Sequence, residues 1–177
     1  MDAGTENSRN RRSFLPEGAA LYLRRRFHEL LGLGLISAAG VFALALASFN
    51  SNDPSLSTST LAAPQNFMGT AGALVSDVFL QSVGLSSISL ILVFLAWGWR
   101  LMTHQSMASS WLQAALLPLG LLLFAIAWAS VPATENWPIH AGFGGVLGGE
   151  INAGLTAALS SLIPGSPAWV TPFVALV

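Results

Sequence analysis

The chain alternates long apolar runs with short polar breaks, and its first long apolar run, Leu30 to Phe49, carries no charge. About twenty such residues rise roughly 30 Å as a helix, which matches the hydrocarbon thickness of a bilayer. The pattern predicts membrane spans at residues 30–49, 85–102 and 111–131, with the short polar link 103–110 between the second and third. A further apolar run at 168–177 reaches only about 15 Å as a helix, so it is expected to be a fourth span that is incomplete here. Between spans lie two segments with helical rather than continuous apolarity. In one, Phe67, Ala71, Leu74, Val75, Val78 and Phe79 recur on one face with Asp77 and Gln81 on another; in the other, Leu147, Ile151, Leu155, Ala158, Leu159 and Leu162 oppose Glu150. Each predicts an amphipathic helix lying in the membrane interface. The expected fold class is therefore all-α: a polytopic membrane protein of four transmembrane helices, the fourth truncated, with two amphipathic helices on its outer face.

Charge orients this arrangement. All seven basic residues are arginines, six of them between Arg9 and Arg26 and the seventh at Arg100. Arginine clusters beside a span stay on the cytoplasmic side, which puts residues 1–27, a polar and basic tail expected to be disordered, inside. The domain proper is then 28–177. Alternation places 50–83 outside, 103–110 inside and 132–166 outside, and the outer segments hold Asp53, Asp77, Glu135 and Glu150 without a base. The six tryptophans fall near span ends, where an indole sits half in hydrocarbon and half in water. Hydrophobic residues make up 53% of the chain and charged ones 8%. A soluble domain carries roughly 25% charged residues, so water is not the main solvent here. Ala43, Ala45 and Ala47 resemble a signal-peptidase site, but the apolar run exceeds the roughly 7–15 residues of a cleaved signal.

Candidate chemistry is sparse. The cluster Gly142, Gly144, Gly145, Gly148 and Gly149 lacks the lysine and hydroxyl of a phosphate loop. Its pairs Gly144 with Gly148 and Gly145 with Gly149 have the small-xxx-small spacing that lets helices approach closely. Packing is the expected role, and a bulky residue there is expected to disturb assembly. His28, His104 and His140 are too scattered for a metal or a catalytic base. No ionisable residue lies deep in a span, which argues against an ion-coupled transporter. Without cysteine there is no disulfide or thiol chemistry. The basic tail is offset by Asp2, Glu6, Glu17 and Glu29, so it is a weak nucleic-acid patch. The spacing of Gly69, Gly72 and Asp77 recurs as Gly142, Gly145 and Glu150, as an internal duplication would produce.

The segment Ser48-Phe49-Asn50-Ser51-Asn52-Asp53-Pro54-Ser55-Leu56-Ser57 closes the first span. Asn and Asp bond nearby backbone and Pro54 sets φ, so Asn50 to Pro54 is a turn where the chain leaves the bilayer. This segment resembles the S-[FY]-N-P-x-D-P-S-[WF] signature of the N-terminal membrane domain of the FtsK/SpoIIIE family of DNA translocases. Asn66 to Asp77 resembles that family's N-x-x-G-x-x-G-A-x-x-[AS]-D helix, and Gly144 to Gly148 its G-G-x-[IL]-G element. Ser51 stands where the family usually has proline and Leu56 where it has an aromatic residue.

The resemblance implies a multi-pass protein of the bacterial inner membrane at the division septum, a membrane anchor and assembly domain with no catalysis or cofactor of its own. ATP and magnesium would belong to a cytoplasmic motor that this chain does not contain, and DNA would be met only through it. The implied partners are membrane lipid, other copies of the chain in a hexamer, and other division proteins. The residues expected to form the turn and the interaction surface are Asn50, Asp53, Pro54, Ser55, Gly69, Gly72 and Asp77; Gly144, Gly145, Gly148 and Gly149 are expected to pack helices. A small multi-span transporter or channel subunit is the alternative reading.

Overall fold

A computed structural model describes residues 17–105, 110–135 and 137–162, and every regular element among them is helical. The tail before residue 17, the run at 168–177 and Trp169 lie outside the described residues. Helix α1 spans Glu17–Ala47, α2 Gly69–Val83, α3 Ser87–Met102, α4 Ser110–Ala129 and α5 Gly145–Leu162, and a single 3-10 turn, Gly84–Ser86, joins α2 to α3. Among the described residues, three stretches are long and apolar enough to cross a membrane: Leu21–Ala47, Gly69–Met102 and Trp111–Ala129.

The first helix starts well before the span predicted from apolarity, so residues 17–27 are helical rather than part of a disordered tail. At 1.5 Å per residue α1 reaches about 46 Å, longer than the hydrocarbon layer, which lets the Arg24–Arg26 turn project beyond it. Local pairs carry the helix through this charged turn. Arg26 donates to the Tyr22 hydroxyl at 3.2 Å, pairs with the Glu29 carboxylate, and lies 5.2 Å from the centre of the Tyr22 ring.

The stretch Gly69–Met102 holds 34 residues. As one straight helix it would extend about 51 Å, but it does not run straight. Gly84 takes φ 61° and ψ −138°. That combination is open to glycine and not to residues with a side chain, and the helix turns there. Ser87 closes the turn by donating its hydroxyl to the Gly84 carbonyl at 2.7 Å.

Helices α1 and α3 form the most extensive helix–helix contact among the described residues. Small residues set their separation. A Cβ on Gly32 would lie 2.6 Å from the Gly98 carbonyl oxygen, and one on Gly98 would lie 2.7 Å from that of Gly32. Both backbones therefore come into direct contact, as small residues allow in membrane helix pairs. Ala39 and Ala45 are also buried on α1. The Phe42 ring meets Phe79 of α2 edge-on at 5.0 Å, a favoured arrangement for two aromatic quadrupoles.

Helix α2 is amphipathic as predicted, but it packs with the smaller, more polar face. Gly72, Ala73, Ser76, Asp77 and Leu80 are buried, whereas Phe67 just ahead of the helix and Ala71, Leu74, Val75 and Val78 on or beside its apolar stripe are not. In a bilayer this arrangement is favourable: lipid solvates the apolar face as well as protein does, so close packing and hydrogen bonding decide what turns inward.

Candidate functional site

The segment between α1 and α2 is a cap of hydrogen bonds seated on the end of the first span opposite its arginines. Asn50 begins it. Its side-chain oxygen accepts the Asn52 N–H at 3.0 Å, its amide donates to Gln65 Oε1 at 2.9 Å, and its carbonyl accepts the Asp53 N–H at 3.1 Å. Such bonding to backbone two residues on is the usual way asparagine makes a turn. The turn swings Asp53 inward until only 3% of it is exposed. There its two carboxylate oxygens accept the N–H groups of Gln65 and Asn66, each at 2.9 Å. These charge-assisted bonds fasten the end of the loop to its beginning.

Asn66 ties the loop to the span. Its amide nitrogen donates to the carbonyls of Ala45 at 2.8 Å and Ser48 at 3.2 Å. These are among the acceptors at the α1 terminus that have no partner within the helix. Its side-chain oxygen accepts the Met68 N–H at 3.0 Å and its backbone carbonyl the Gly69 N–H at 2.8 Å, which starts α2. Ser48 completes the joint by donating to Leu44 O at 2.6 Å and accepting the Phe67 N–H at 3.0 Å.

Asp77 holds the middle of the loop. It is 3% exposed and accepts the Ser57 hydroxyl at 2.9 Å, the Ser57 N–H at 3.3 Å and the Gln81 amide at 2.6 Å. Ser55 shapes the neighbouring turn, its N–H donating to Thr58 O at 3.0 Å and its hydroxyl accepting the Thr58 N–H at 3.2 Å. The two glycines of this region answer different needs. Gly69 has φ 64° and open space around it, so conformation demands it. A Cβ on Gly72 would collide with Asn66 Oδ1 and Met68 Cβ, so space demands it.

The seven predicted turn and interaction residues are therefore brought together, but not as one exposed face. Asp53, Gly72 and Asp77 are buried, and Pro54, Ser55, Asn50 and Gly69 are half-buried. What the cap presents outward is mixed: the large apolar side chains Leu56, Leu61 and Phe67 are exposed among exposed polar ones such as Asn52, Ser59 and Gln65. Asn66 and Ser57, absent from the predicted set, are central to the bonding. Asn66 opens the N-x-x-G motif, and that position was the available signal.

The segment between α4 and α5 packs beside this cap. Phe143 lies edge-on to Trp137 at 4.8 Å and Trp128 at 6.1 Å, and the Trp137 indole donates to Gly142 O at 3.1 Å. The Phe143 carbonyl accepts the Leu85 N–H at 2.8 Å, so this segment is bonded to the α2–α3 corner. Cβ atoms on Gly144 and Gly148 would each collide with Ala125 O of α4, and one on Gly145 would lie 2.6 Å from Ser82 O and C. A Cβ on Gly149 would meet nothing within 4 Å among the described residues. Among the described residues the predicted pair Gly145 with Gly149 shares no contact, because Gly145 begins α5 at φ 66° against the α2 end while a Cβ on Gly149 meets none of them. These close contacts are all made within the chain. The suggested duplication also diverges at its acid, since Glu150 is exposed where Asp77 is buried. No three His, Asp or Glu side chains converge as a metal site among the described residues.

Apolar helices around glycine contacts, closed on one side by a buried hydrogen-bonded cap, define a polytopic helical membrane domain. Residues 24–177 match the family described as the 4TM region of DNA translocase FtsK/SpoIIIE, and the chain belongs to that family. It is 37% identical over 140 residues to the DNA translocase FtsK of Bradyrhizobium diazoefficiens, covering 76% of this chain and 16% of that protein. It is 32% identical over 150 residues to that of Rhizobium meliloti, covering 85% and 17%, and 33% identical over 142 residues to that of Caulobacter vibrioides, covering 75% and 17%. The chain spans about a sixth of the length of these curated relatives. No solved structure matches it.

Proposed function

We propose that this chain anchors and assembles a septal DNA translocase in the bacterial inner membrane, with its arginine end in the cytoplasm and its cap in the periplasm. The observation that carries this reading is the cap itself. Two buried carboxylates, Asp53 and Asp77, commit their hydrogen bonds to holding a loop rigid against the first span, and the rigid loop displays Leu56, Leu61 and Phe67. Such construction suits recognition: side chains already ordered lose less entropy on binding. The periplasmic parts of other division proteins and neighbouring copies of the chain, six in a ring by family resemblance, are the partners this surface would serve. Nucleotide, magnesium and DNA fall to a motor outside this chain, and turnover is no part of its work.

The test is localisation. A fluorescent fusion to residues 1–177 should concentrate at midcell in dividing cells and lose that enrichment when Leu56 and Phe67 are both replaced by Ser. Uniform membrane fluorescence of the unaltered fusion would refute the divisome reading and favour a transporter or channel subunit.

A further inference from the structure

We propose that the groove between α3 and α4 binds one anionic phospholipid, with an acyl chain along the groove and the phosphate on Arg100. The two helices are held together at the ends away from Arg100, where α4 packs on the Gly84–Ser86 turn, and otherwise touch little. The gap is an apolar groove of about 500 Å³ lined by Leu90, Val93, Trp97, Leu117, Gly120 and Phe124, with Arg100 and Gln113 toward the arginine end of the bundle. Small-ligand pockets run from about 300 to about 1,000 Å³, so the groove is large enough to hold an acyl chain.

Charge selects the occupant. Glu29, the acid whose side chain is described at that end, is engaged by Arg26 and lies 3.6 Å from His104, and no acid pairs with Arg100 among the described residues. A half-buried guanidinium beside hydrocarbon, with no anion paired to it among the described residues, fits a headgroup phosphate, which it can bind through two parallel N–H groups. Trp97 lines the same groove, at the level where an indole borders headgroups. This inference rests on the membrane-domain reading and is independent of any role in division.

The experiment compares lipids retained by the purified chain. The chain is reconstituted in nanodiscs of phosphatidylcholine with a minor share of phosphatidylglycerol of the same acyl composition, then released and weighed by native mass spectrometry. The unaltered chain should retain phosphatidylglycerol in preference. Arg100→Gln should reduce that preference about fivefold, the ratio expected of one arginine–phosphate contact at a membrane surface, whereas Arg24→Gln, on an exposed turn, should leave it unchanged. Gly120→Leu should remove the retained lipid without lowering the melting temperature, because a Cβ there meets nothing within 4 Å among the described residues and the new side chain enters the groove. Equal retention of both lipids, or equal losses from Arg100→Gln and Arg24→Gln, overturns the proposal. So does efficient disulfide formation between Gly120→Cys and Phe173→Cys in membranes, which would give the groove to the chain's own C-terminal segment. Failure of the chain to enter the bilayer would show separately, as protein that separates from the lipid on flotation, and would refute the membrane-domain reading instead.

Discussion

Asp53→Asn is the sharpest perturbation of the cap, because it preserves shape while replacing one acceptor oxygen by a donor and removing the charge. The native carboxylate accepts one N–H on each oxygen, from Gln65 and Asn66, both at 2.9 Å, in a site where Asp53 is 3% exposed. An asparagine keeps one acceptor and turns an NH2 toward the second donor, so one bond is lost, the other loses its charge, and two donors face each other. Hydrogen bonds to charged groups contribute about 1.5–3 kcal/mol each, and an unsatisfied buried donor costs about 1–3 kcal/mol. The expected loss is about 3 kcal/mol, and Asp53→Ala should lose a similar amount. For a chain of this size that corresponds to a melting temperature lower by about 6–12 °C if the cap melts with the bundle. Amide exchange of Gln65 and Asn66, followed in detergent or nanodiscs, covers the case in which the cap opens alone: about 3 kcal/mol is roughly a hundredfold in opening equilibrium. If Asp53→Asn changed neither the melting temperature nor the exchange of these two amides, the structural role assigned to the carboxylate would be wrong.

Two adjacent glycines should part company. Gly148→Leu drives a side chain against the Ala125 backbone and should destabilise by about 1–3 kcal/mol, as overpacking does. A Cβ on Gly149 meets nothing within 4 Å among the described residues, so Gly149→Leu should stay within about 0.5 kcal/mol by thermal unfolding; equal effects would refute the α4–α5 contact. Gly84→Ala combines a positive φ with a Cβ that collides with Phe143 O, so folded yield by size exclusion should fall more than for any other single glycine replacement outside the α1–α3 contact. For orientation, single cysteines at Thr58, Ser106 and Thr134 serve as reporters in this cysteine-free chain. Membrane-impermeant thiol reagents should label Thr58→Cys and Thr134→Cys in cells with a permeabilised outer membrane and spare Ser106→Cys; the opposite pattern would invert the topology.

Much of this molecule was legible along the chain because the relevant physics is local. Transfer of about twenty apolar residues into hydrocarbon depends on composition alone, so the apolar runs near 30–49, 85–102 and 111–131 met helices at Glu17–Ala47, Ser87–Met102 and Ser110–Ala129. Turn chemistry is equally local, and Asn50 to Pro54 formed the expected turn. Helical periodicity marked α2 and α5 as well. The arginine turn on α1 escaped composition, since polarity alone does not reveal that Tyr22, Arg26 and Glu29 support one another at helical i, i+3 and i, i+4 spacing.

Partnership was beyond the sequence. Asp77 and Glu150 occupy matching places in it, yet one is buried on Ser57 and Gln81 and the other exposed, because only the assembled cap brings donors to the first. Gly148 and Gly149 are adjacent and chemically identical, and the rotation of α5 against α4 decides that one is hemmed in while the other meets none of the described residues. The contact of Gly32 with Gly98 went unmarked for the same reason: they lie far apart in the chain, and neither has a signature until α1 and α3 take up their register. Solvation and backbone preference are properties of a residue and its near neighbours, which a sequence displays; close packing and hydrogen-bond satisfaction are properties of pairs, and the tertiary structure chooses the pairs.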